Sequence, residues 1–65
     1  MKKTEYFISQ VQWNQFQSGL DQVKKQRDEF LSANKIGKII DEDIKVNGVG
    51  NNQTIFIIKL TYYSE

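Results

Sequence analysis

The run Thr54-Ile55-Phe56-Ile57-Ile58-Lys59-Leu60-Thr61-Tyr62-Tyr63 constrains this chain more than any other stretch. It is dense in β-branched and aromatic residues, which fit a pleated, half-buried surface, so it predicts a strand. Side chains alternate across a strand. Thr54, Phe56, Ile58, Leu60 and Tyr62 therefore make one continuous face, while Ile55, Ile57 and Tyr63 share the other with Lys59 and Thr61. A strand that is apolar on both faces belongs in the middle of a sheet with cover on both sides. A chain of 65 residues has little material with which to supply that cover.

The other elements are read against that strand. Glu5–Val11 is aromatic and β-branched and predicts a first strand. The pattern then changes period. Trp13, Phe16, Leu20, Val23, Phe30 and Leu31 recur at three-then-four spacing, the stripe of an amphipathic helix over roughly 14–34. Asn14 offers an N-cap with Gln17 at the third position, Ser18 with Asp21 a second start, and Asn34 or Gly37 a left-handed stop. Asp21–Lys25 and Lys24–Asp28 are opposite charges at helical spacing. Gly19 costs about 1 kcal/mol inside the helix, and only Arg27 breaks the stripe, its stem lying along it with the guanidinium in water. Beyond Gly37, Asn47–Asn52 reads as a longer hairpin loop with its glycines at positive φ. In the arm before it, Ile40, Ile44 and Val46 share a face into which Glu42 intrudes.

The expected architecture is α+β, a single domain over 1–65 in the order β-α-β-β, with a three-stranded antiparallel sheet of order 1-3-2 and one helix on one face. The outer strands are edges, and the inward charge of Glu42 is a known deterrent to edge-to-edge pairing. Because one helix covers one face, the residues left over, Ile55, Ile57 and Tyr63, are the expected oligomer interface. Burying them contributes on the order of 5 kcal/mol per subunit, comparable to the whole stability of so small a domain. The expectation is a homo-oligomer, a dimer or higher.

Composition removes classes of function. With His 0 and Cys 0 there is no imidazole base, no thiolate nucleophile and no zinc, haem or iron–sulfur ligand set of the usual kinds. Asp41-Glu42-Asp43 is acidic, but a strand points Glu42 away from its two neighbours, so no metal site is expected. Neither is a pair of carboxylates facing a cleft, so the chain is read as a non-enzyme with no cofactor. A formal charge of +1, with Asp21, Asp28 and Glu29 interleaved among Lys24, Lys25 and Arg27, does not favour nucleic acid. No apolar run approaches the ~20 residues of a membrane span, and Met1-Lys2-Lys3 is not followed by a signal-peptide core. The absent cysteines fit a reducing cytoplasm, the expected location.

Binding chemistry remains. Trp13, Tyr62 and Tyr63 stand at element ends, where aromatic side chains are partly exposed and serve as anchors for proteins or as stacking platforms. Asn51 and Asn52 can line a polar ligand site. Gly48-Val49-Gly50 lacks the third glycine, the following helix and the Lys-Ser/Thr pair of a phosphate loop. Trp13, Tyr62, Asn51 and Asn52 are accordingly the expected contacts for a partner or ligand.

The segments Ile40-Asp41-Glu42-Asp43-Ile44-Lys45 and Leu60-Thr61-Tyr62-Tyr63 resemble those of small sporulation-associated and prophage-encoded proteins of Gram-positive bacteria. Those are also single strand–helix–hairpin chains, and they carry no established activity, so the resemblance transfers no functional residue. The topology is also similar to that of dodecins, flavin-storing oligomers, although the tryptophan here stands at the helix start. The leading expectation is a small accessory protein of a phage or mobile element that binds a host protein and inhibits or modulates it. The rival is an oligomer that sequesters a small molecule such as a signalling nucleotide or flavin.

Overall fold

A computed structural model describes residues 1–64. Three strands and one helix follow in the order β1 (Lys2–Gln12), a 3-10 turn (Trp13–Gln15), α1 (Phe16–Ala33), β2 (Ile36–Val49) and β3 (Gln53–Ser64). The strands form one antiparallel sheet of order β1-β3-β2, with the doubly apolar β3 in the centre. The α+β architecture thus has the expected order and edges.

The helix lies over β1 and β3 and covers the Phe56/Ile58/Leu60/Tyr62 face. Phe7, Val23, Phe56, Ile58, Leu60 and Tyr62 form the core, with Val11, Leu20, Phe30, Leu31 and Ile36 packed around it. Aromatic rings meet edge to face at 4.9 Å between Phe16 and Phe56 and 5.5 Å between Phe7 and Phe30, geometry favoured by the ring quadrupoles. Gly19 lets the helix backbone come close to the sheet. A Cβ there would lie 2.5 Å from Val11 Cγ2 and 2.7 Å from Phe56 Cε2. Its helix-propensity cost therefore secures a close approach.

The molecule is a slab, not a sphere. Its extents are 41 × 17 × 11 Å and its radius of gyration is 13.1 Å, against about 11 Å for a compact chain of this length. An α-helix rises 1.5 Å per residue, so the 18 residues of α1 reach only about 27 Å along it. The helix also stops short of β2 in width. Ile39, Ile44 and Val46 point to the helix side yet remain 47%, 41% and 46% exposed.

Several local expectations are corrected. All three strands run longer than the sequence predicts, and the hairpin loop shrinks to three residues, Gly50–Asn52. The positive φ values fall on Asn51 (64°) and Asn52 (59°), not on the glycines; asparagine tolerates this region because its short amide hydrogen-bonds locally. Asn14 lies in the 3-10 turn and α1 begins at Phe16, with no side-chain cap hydrogen bond. At the other end Asn34 is extended, and both its N–H and its side-chain Nδ2 donate to the Phe30 carbonyl (3.1 and 2.9 Å). The ion pair at helical spacing is Lys25–Glu29, 4.0 Å apart, not either of the two expected pairs. A bulge between Ile39 and Asp41 places Ile39, rather than Ile40, opposite Tyr62.

Candidate functional site

The two pattern-breaking charges meet. Arg27 Nη1 donates to Glu42 Oε1 (3.2 Å) and Oε2 (3.1 Å), while its Nε donates to Asp28 Oδ1 (3.0 Å). The guanidinium does not simply lie in water; it neutralises the inward carboxylate of β2. Burial alone would lower the Arg27 pKa, but the hydrogen bonds to Asp28 and Glu42 outweigh it and hold the pKa above its ordinary value. Glu42 is thus one half of a charge-assisted pair between helix and edge strand.

The face of the sheet opposite the helix is uncovered. Ile55 and Ile57 are half-buried there by neighbouring strands, and Tyr63 is 47% exposed. Register adds two residues that sequence reasoning missed. Ile8 pairs with Ile57, and Tyr6 with Lys59; these β1 side chains are 53% and 55% exposed. The signal was the alternation of Tyr6 and Ile8 against Phe7 and Ser9 in β1, which could be assigned to a face once β1 was set beside β3. Lys59, on the central strand between Tyr6 and Asp43, shares this face, and with Tyr6, Asp43, Lys45 and Ile57 it lines a depression of about 220 Å³.

A second feature lies at the hairpin end. The Trp13 N–H donates to the Asn52 carbonyl at 2.7 Å, which ties the helix entry to the β2–β3 loop. Trp13 is 66% exposed, so it opens the helical stripe without entering the core, its ring 6.1 Å from that of Phe16. Beside it is a cleft of about 480 Å³ lined by Gln12, Trp13, Asn14, Asn51 and Asn52. On the other flank a hollow of about 460 Å³ runs from Trp13 along Gly48–Gln53. Three of the four expected contact residues are thereby brought together.

Tyr62 is not among them. Expected as an exposed end residue, it is 6% exposed, because β3 continues to Ser64 and the Phe30 ring packs over it at 5.7 Å. Its place is in the core. The basic spot on α1 is likewise a mixed surface, with Asp21, Asp28 and Glu29 lining the same cleft as Lys24 and Lys25. Among the described residues, no three His, Cys, Asp or Glu side chains are grouped to hold a metal ion, and no helix is long and apolar enough to cross a membrane. Compared with protein-family models, curated proteins and solved structures, the chain matches none.

Proposed function

We propose that this chain is a small non-catalytic accessory protein that self-associates through its uncovered sheet face and modulates another protein by binding it. The observation that carries the reading is the uncovered apolar cluster of Ile8, Ile55 and Ile57, with Tyr63 farther along β3 beyond Lys59 and Thr61, a face for which the described residues hold no second helix. Such a cluster supports association because apolar area removed from water is the dominant favourable term in most protein–protein contacts. Exposed Trp13, on a loop held by the Asn52 hydrogen bond, serves as the anchor for the modulated protein. In this reading that protein is a host target of a mobile element.

Native mass spectrometry of two variants tests the assignment. Ile57→Asp sets a charge in the middle of the face and is expected to lower the mass of the oligomer by breaking the face-to-face contact. Trp13→Ala is expected to keep the wild-type mass and to lose only the partner. An Ile57→Asp variant that keeps the wild-type mass would remove the sheet face from the account.

One observation favours a second reading, sequestration of a small molecule: the indole and the Asn51 and Asn52 amides line a common cleft. A nucleotide or flavin stacked there would appear in the purified protein as excess absorbance near its own band and would quench Trp13 fluorescence. Protein whose absorbance is that of its tryptophan and tyrosines alone speaks against it.

A further inference from the structure

We infer that β2 is a second, edge-on interface, pairing antiparallel with β2 of another copy about a two-fold axis through Ile44. The inference goes beyond the face-to-face association proposed above and rests on the backbone edge of β2 rather than on the apolar cluster of that face.

The two edges of the sheet are unequal. On β1, Gln26 of the helix donates from Nε2 to the Ile8 carbonyl at 3.0 Å. Among the described residues, no side chain hydrogen-bonds the backbone of β2, a strand of 14 residues. An unguarded edge strand is a template for another strand. The usual deterrent, an inward charge, is present as Glu42 but is neutralised by Arg27 at 3.1 Å.

Charge selects the register. A two-fold axis that leaves both helices on one side of a continuous sheet must pass through a residue of β2, so that paired residues share a face. Centred on Glu42 or Asp43, the pairing sets carboxylates directly opposite carboxylates, and centred on Lys45 it sets lysine opposite lysine. Centred on Ile44, it sets Asp43 of each copy opposite Lys45 of the other, and opposite charges across strands stabilise while like charges do not. The ladder from Asp41 to Val49 is regular, and the bulges fall before it, so the stretch symmetric about Ile44 is undistorted. The same axis brings Ile44 against its symmetry mate on the helix side. Ile44 and Val46 are 41% and 46% exposed beside the helix, and Val46 of each copy then lies opposite the Arg27-paired Glu42 of the other.

The chain has no cysteine, so a single introduced thiol reports one position. An Ile44→Cys variant treated with a short bismaleimide is expected to form a covalent dimer in high yield. A Gly48→Cys variant is expected to give none, because positions 48 and 48′ would lie about 27 Å apart along the strands. In the Ile44→Cys background, Asp43→Lys or Lys45→Asp alone is expected to abolish most of the cross-link, and the two together to restore it. Circular dichroism of each variant separates lost pairing from lost fold, and a variant that unfolds is replaced by its milder Asp43→Asn or Lys45→Gln counterpart, with the same direction expected. No cross-link at 44, equal cross-linking at 44 and 48, or indifference to the charge reversals would overturn the inference.

Discussion

The two faces of β3 both carry large apolar side chains and meet different fates. On one, Phe56, Ile58 and Leu60 are fully buried; on the other, Ile55 and Ile57 are half-buried and Tyr63 is 47% exposed. What separates them is the position of one helix, since both sets sit on the same strand between the same neighbours. Hydrophobicity read along a strand therefore reports what a face can bury, while the number of covering elements decides what this chain buries by itself. The surplus is the part of the molecule available for partners.

Truncation is the sharpest way to break the comparison. Ile58→Ala leaves a cavity in the core and is expected to destabilise by about 2–5 kcal/mol at every protein concentration. Ile57→Ala, one residue away, is expected to cost under about 1 kcal/mol in dilute solution. Its cost grows as concentration rises and association adds to stability. Urea unfolding at two concentrations checks both. Equal costs at 57 and 58 in dilute solution would erase the distinction between the faces.

A smaller effect probes the seam between helix and covered face. Gly19→Val would drive methyl groups against Val11 and the Phe56 ring and is expected to cost about 1–3 kcal/mol through overpacking. A neutral result would show that helix and sheet approach less closely than the geometry requires. The smallest expected change is a gain. Thr54 is 2% exposed and its Oγ1 has no hydrogen-bond partner. Replacing that hydroxyl by a methyl in Thr54→Val is expected to stabilise by about 1 kcal/mol, read as a raised thermal midpoint. A loss of stability would mean that the hydroxyl has a partner after all.

Sheet order and the contents of both faces of β3 were legible because a period-2 pattern records which side chains share a side. The residues that depart from expectation are those whose placement depends on more than alternation. Trp13 and Phe16 continue the helical stripe in spacing, but a 3-10 turn also repeats every three residues, so the pattern cannot locate where the α-helix begins. Tyr62 read as an end residue because the extra length of β3, and the arrival of Phe30 above it, are tertiary facts. The bulge at Ile40 leaves no mark on composition. Arg27 and Glu42 each looked like an error in a pattern; only the crossing of helix and edge strand shows that each answers the other. At the hairpin, glycines and asparagines stand side by side, and both residue types accept positive φ, so the sequence could not say which would take it.

The central claim, that the uncovered faces are contact surfaces, is tested most directly by sedimentation equilibrium of the wild-type chain across a wide concentration range. The account predicts a mass that rises with concentration from 7.6 kDa toward a whole multiple of it. A single 7.6 kDa species up to the highest concentration the protein tolerates would contradict it.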